Sequence, residues 1–234
     1  MTANDVVVIS PLIAAILTAI AILLVDLVVP GRSVAVIGTA LVGLALTAGV
    51  TLTAGTMEAT TAFGGAYKLD ALTTFLDLLF ISIVAMTIVF APDYLAPRGL
   101  PVAEFATVLV FAMSGAMLIS ASVDLLLLFL GLELMVLPGY LLAGYHKSDG
   151  YSTEGAIKYF LLGSFSSAIF LFGLAFAWGA TGTTSIAGMS EALKGVVAAS
   201  TTTTGSQSAF SGPSASTNSR MMSANAPTFG PTDR

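Results

Sequence analysis

The sequence predicts an all-α polytopic membrane protein with about six transmembrane helices, its N-terminus outside, followed by a disordered Ser/Thr-rich tail. Three observations lead there. Of the 234 residues, 56% are hydrophobic and only 9% are charged, against about 25% charged in a typical soluble domain. The mean hydropathy is +0.95. The apolar residues fall in long tracts rather than in short alternating runs, and a helix needs roughly 20 such residues to cross the hydrocarbon.

The first span is expected over Val6–Val29, stopped by Pro30-Gly31-Arg32, and the second over Val34–Leu52. A polar stretch, Thr53–Asp70, precedes a third span over Ala71–Phe90, ended by Ala91-Pro92-Asp93. The apolar tract from Glu104 to Tyr145 is too long for one crossing. Its polar break, Ser120-Ala121-Ser122-Val123-Asp124, predicts a tight turn between span four (Phe105–Ser120) and span five (Asp124–Tyr145). Span six runs from Glu154 to Trp178, where an indole belongs in an interfacial belt. The resulting organisation is three N-terminal helices over 1–98, helices four to six over 99–182, a short amphipathic segment over 183–199, and a tail over 200–234 too polar to offset its chain entropy. Arg32, Arg98, Lys147 and Lys158 fall on one side, and Lys68 and Lys194 on the other. The positive-inside rule therefore places the N-terminus outside.

Charge and composition exclude several classes. The net charge is −5 with no basic block, so nucleic acid has no electrostatic footing. There is no cysteine and one histidine, His146, which excludes disulfides, Cys-ligated clusters and bis-histidine haem in this chain. The chain is expected to hold no cofactor and no metal. Its N-terminus lacks the basic region of a cleaved signal.

Glu133 is the informative charge. It lies in Leu125-Leu126-Leu127-Leu128-Phe129-Leu130-Gly131-Leu132-Glu133-Leu134-Met135, nine steps and about 13–14 Å from Asp124. An acid near the bilayer midplane costs about 2.5–3.5 kcal/mol on insertion scales and usually faces protein or a wet cavity. It is read as part of a proton path, with a structural acid bonded to a neighbouring helix as the alternative. Pro138, five residues on, predicts a kink that frees the Leu134 carbonyl beside Glu133, or a kink that serves packing alone. Lys158 is near the start of span six and can either snorkel or act on the path. The rise per residue leaves it about 10 Å from Glu133 along the membrane normal, too far for a direct salt bridge. Asp26 and Asp77 are read as positioning residues and Asp124 as the N-cap of span five. Ser164, Ser166 and Ser167 suit interhelical packing, and Gly115, Gly131, Gly163 and Gly173 close contacts.

The segments Asp124–Tyr140, with Gly131-Leu132-Glu133-Leu134-Met135 and Pro138, and Ser152–Ser164, with Ala156-Ile157-Lys158-Tyr159-Phe160, resemble the N-type antiporter-like subunit of NADH:quinone oxidoreductase (respiratory complex I). Ser166-Ser167-Ala168, Gly179-Ala180-Thr181-Gly182 and Asp70–Phe75 add to the resemblance. It implies a part in proton translocation coupled to quinone reduction, with Glu133 and Lys158 on the proton path. It also implies NADH and quinone as the complex's own reactants, other membrane subunits as partners, and a multi-pass place in the bacterial inner membrane. Family members carry inverted five-helix repeats and a lysine after span six that partners the glutamate. Here the pattern passes into the Ser/Thr-rich stretch first, so a partial subunit is expected. A non-conducting scaffold or assembly fragment, or a stand-alone cation/proton antiporter, are the alternatives.

Overall fold

A computed structural model describes residues 3–56 and 60–195. It contains six helices long and apolar enough to cross a membrane. The first expected span is divided into α1 (Ala3–Val8) and α2 (Ser10–Val28). Pro11 causes the break: it has no N–H to give the Val7 carbonyl, and its ring crowds that oxygen. The Ser10 hydroxyl donates to Val7 O at 2.7 Å instead.

The second span is α3 (Ser33–Gly55). The polar stretch after it contains structure that was not expected, an antiparallel hairpin of β1 (Thr60–Ala62) and β2 (Tyr67–Leu69). Phe63, Gly64 and Gly65 turn it with φ of 52°, 66° and 94°. Two consecutive glycines make that left-handed path accessible. Ala62, Tyr67 and Leu69 bury themselves with Val8, Ala54 and Ala121, so the hairpin closes one end of the bundle.

Helix α4 (Ala71–Leu95) is longer than expected, because Pro92 sits inside it and does not end it. A short 3₁₀ turn, Ala96–Arg98, follows, and Gly99 at φ 65° stops the chain. The Arg98 guanidinium donates to Tyr94 O at 2.8 Å and stacks 3.7 Å over the Tyr94 ring.

Asp70 caps α4. Its carboxylate accepts from Thr73 N at 2.9 Å and pairs with Lys68 Nζ at 3.0 Å. The Thr73 amide bond first, and the Lys68 bond second, hold the Asp70 carboxyl below its ordinary value. A depressed carboxyl contributes stability above its unfolded value and loses it as pH falls through the folded one. Asp70→Ala is expected to cost about 1 kcal/mol at neutral pH, the usual worth of an N-cap. Reversible unfolding of both proteins should show that difference shrinking as pH drops below the carboxylate range.

Span four is α5 (Val102–Ala121), span five α6 (Leu125–Ala143) and span six α7 (Gly150–Thr181). Asp124 caps α6 as expected, accepting from Leu126 N at 2.8 Å and from the Thr184 hydroxyl at 2.5 Å. Helix α7 starts four residues before the expected Glu154, because Asp149 accepts from Tyr151 N at 3.1 Å and caps it there. The bridges Tyr67↔Ser122 and Asp124↔Ser185 gather the hairpin, the α5–α6 turn and the segment after α7 at one end. At the other end the Tyr145 hydroxyl donates to Pro101 O. Burial first, and the Glu104 carboxylate second, push the Tyr145 phenol up to about 12.

The main core lies among α2, α3, α4 and α5, from Ala15, Ile22, Leu44, Ile88, Val110 and Met117. Helix α6 packs on α5 and α7 on α6; α7 has no buried residue. Residues 186–195 are helical again. The rest of the expected amphipathic segment, 196–199, and the expected tail, 200–234, lie outside the described residues.

Candidate functional site between the fifth and sixth spans

Glu133 lies eight residues into α6, about 12 Å from its Leu125 end and about 15 Å from its Ala143 end by helical rise. It is half-buried and lines a cavity of about 190 Å³ between α6 and α7, with Leu132, Val136, Tyr140, Ser166 and Ser167 among the walls. Its cavity is therefore shared with hydroxyls of the neighbouring helix. Phe129 stacks on Phe170 at 5.8 Å and closes one end of this space.

Tyr140, two turns along α6 from Glu133, closes the other end. Its ring meets Tyr159 edge-on at 4.9 Å and Phe160 at 5.5 Å. Its hydroxyl lies over Gly163, where any Cβ would overlap it. That hydroxyl is buried without a hydrogen-bond partner among the described residues. Sequence reasoning passed over Tyr140. The signal available was an aromatic two helical turns from a buried acid, on the same face.

Lys158 and Glu133 do not meet. Gly139 of α6 lies against Tyr159, while Glu133 shares its cavity with Ser166 and Ser167. Lys158 is thus eight to nine residues, or about 12–13 Å, from Glu133's level on α7. Its ammonium pairs with Glu154 one turn back, in an exposed position. Pro138 is buried inside α6, which continues through it to Ala143. Ser166 and Ser167 reach the cavity, whereas Ser164 is exposed on α7. Gly115, Gly131 and Gly163 sit at close contacts, but Gly173 faces open space. Asp26 is half-buried beside the connection between α4 and α5, lining a space with Gly99 and Pro101.

Residues 122–216 match the family model described as NADH:quinone oxidoreductase/Mrp antiporter, TM. The NADH-quinone oxidoreductase subunit N of Moorella thermoacetica is 40% identical over 157 residues, covering 67% of this chain and 33% of the relative. Over this region the chain is similar to N-type, antiporter-like subunits. Subunit N of the F(420)H(2) dehydrogenase of Methanosarcina mazei is 43% identical over 126 residues, covering 54% of this chain and 25% of the relative. A chain of respiratory complex I from Thermus thermophilus superimposes with a TM-score of 0.60 at 30% identity, covering 75% of this chain and 38% of that one. The chain thus spans about a third of the length of the curated relatives it matches. The matched segment includes both walls of the Glu133 cavity, since α6 and α7 fall wholly inside 122–216.

Proposed function

We propose that this chain works in the membrane arm of a proton-translocating NADH:quinone oxidoreductase of the bacterial inner membrane, with Glu133 as the group that takes up and releases the proton. The observation that carries this reading is the placement of Glu133: mid-span, turned toward the Ser166 and Ser167 hydroxyls across a cavity. A carboxyl in such a place can exist charged or neutral according to the charges around it, because burial penalises the charged form and a cation relieves the penalty. Reactions on other subunits that shift charge along the membrane would thereby load and unload Glu133. Lys158, held off by about two helical turns, acts on Glu133 through the field in a low-dielectric interior and not by contact. Pro138 loosens the backbone of α6 beside the cavity by removing one helical hydrogen bond. NADH and quinone are reactants of partner subunits, and this chain supplies no redox group.

The test is isolation of the chain with its partners from the native membrane, followed by NADH-driven acidification of vesicles. Glu133→Gln should lower acidification by about tenfold or more, equivalent to about 1.4 kcal/mol on the limiting barrier, while the complex still assembles. Assembled Glu133→Gln complex that acidifies at the wild-type rate would establish the scaffold reading. That second reading draws on α7, which packs chiefly on α6, has no buried residue and leaves a long apolar face for neighbouring subunits to cover.

A further inference from the structure

Asp77 lies two turns into α4, is fully buried, and plays no part in the reading above. Its Oδ1 is 2.9 Å from the Ser120 hydroxyl of α5, and its Oδ2 has no hydrogen-bond partner among the described residues. No cation pairs with it: the ion pairs among the described residues are Lys68–Asp70 and Lys158–Glu154. A bare carboxylate with one donor and no counter-charge is an expensive thing to enclose, whereas the neutral acid costs far less.

Ser120 adds a geometric argument. Its hydroxyl lies 2.8 Å from the Met117 carbonyl as well as 2.9 Å from Asp77. A hydroxyl has one hydrogen and cannot fully serve both acceptors. When that hydrogen goes to Met117, the Ser120–Asp77 contact needs a hydrogen from Asp77, and only the acid form has one.

Polar residues on the same face of α4 lie between this acid and the hairpin end of the bundle. Thr73, one turn away on the same face of α4, has its hydroxyl 3.1 Å from Asp70 Oδ1 and 3.3 Å from the Ser120 carbonyl. Asp70 is partly exposed and paired with Lys68. Asp70, Thr73 and Asp77 therefore occupy positions i, i+3 and i+7 of one helical face, running from the aqueous end inward. The titratable groups facing Asp77 are Tyr67 from β2 and, along its own helix, Asp70 with its Lys68. Helix α3 carries no charged residue, and the single charge of α5, Glu104, is at the opposite end. Burial raises the Tyr67 phenol above its ordinary value, and a charged Asp77 adds to that.

We propose that Asp77 is a second proton-binding site, separate from Glu133, which exchanges its proton with water at the hairpin end through Thr73 and Asp70. Loading adds one proton to a carboxylate oxygen of Asp77, and release returns it to water at that surface. The site stands on geometry around α4 and does not depend on the role given to Glu133.

The experiment is infrared spectroscopy of the full chain in lipid nanodiscs at neutral pH. A carbonyl band of protonated carboxylic acid is expected in the wild type and in Glu133→Gln, and its loss is expected in Asp77→Asn. The band should shift on transfer to heavy water, and Thr73→Val should slow that shift several-fold. Where Asp77→Asn fails to insert, Asp77→Glu keeps the acid and must move the band. No band lost in Asp77→Asn, a band unmoved in Asp77→Glu, or a shift unaffected by Thr73→Val overturns the proposal. Acidification by Glu133→Gln vesicles, a separate measurement, decides the role of Glu133 by itself.

Discussion

Gly115→Ala should destabilise the chain by about 2–3 kcal/mol, the upper part of the range for overpacking a close contact. A Cβ at position 115 would press on the backbone of Leu134 and Met135 in α6. Those atoms cannot swing aside as a side-chain tip could, so the helices must separate. The facing position repeats the pattern: a Cβ on Gly131 would stand 2.8 Å from Ile119 Cγ1 and 3.2 Å from the Gly115 carbonyl. Two glycines thus let α5 and α6 touch backbone to backbone, and inside a bilayer such packing is itself a main source of helix association. Gly49→Ala is the control. It also sits within a helix, but nothing lies within 4 Å of its added Cβ, so the higher helix propensity of alanine should raise stability by up to about 1 kcal/mol. Reversible unfolding in mixed detergent measures both. Equal effects of the two variants would show that α5 and α6 are not held at that crossing. Met135 is two residues from Glu133, so the same shift should also disturb the cavity.

The six spans were legible because lipid imposes a length and a composition, and both are written in the apolar tracts. Asp124 was legible as a cap because its carboxylate precedes an unbroken leucine run. The ends misread were those where punctuation and packing disagree. Pro92 looked like a stop, yet α4 carries through it to Leu95, since the prolyl ring only removes one hydrogen bond and neighbouring helices can compensate. Pro11, placed inside an apparently continuous first span, does break it. The hairpin went unread although Thr-Thr-Ala and Tyr-Lys-Leu flank Phe-Gly-Gly, because three-residue strands hold too little period to count. At the site, Glu133 was legible as a charge in a lipid-length tract. Its partners were not, because which hydroxyl or ring lies opposite depends on how α6 and α7 rotate against each other. Asp77 shows the same limit more sharply. Sequence position made it a positioning residue near an interface, whereas folding encloses it completely, since the hairpin and α5 cover that end of α4.

Tyr140→Ala should loosen α7 from α6 at a cost of about 3–5 kcal/mol, as deletion of a buried aromatic usually does. The ring is 7% exposed and fits edge-on against Tyr159 and Phe160, with Gly163 making room for its hydroxyl. Helix α7 has no buried residue of its own to fall back on, so loss of this wedge removes much of what seats it. Tyr140→Phe should behave in the opposite way. It keeps the ring and deletes a buried hydroxyl that has no partner, which removes a desolvation penalty of about 1 kcal/mol or more. Trp178, the single tryptophan of the chain and a residue of α7, reports the docking by its fluorescence during unfolding. An alanine variant as stable as the wild type would mean that α7 is not seated by Tyr140. A phenylalanine variant that loses as much as alanine would mean that the hydroxyl is partnered after all, and Glu133, which shares the cavity wall with it, would be the acceptor to examine first.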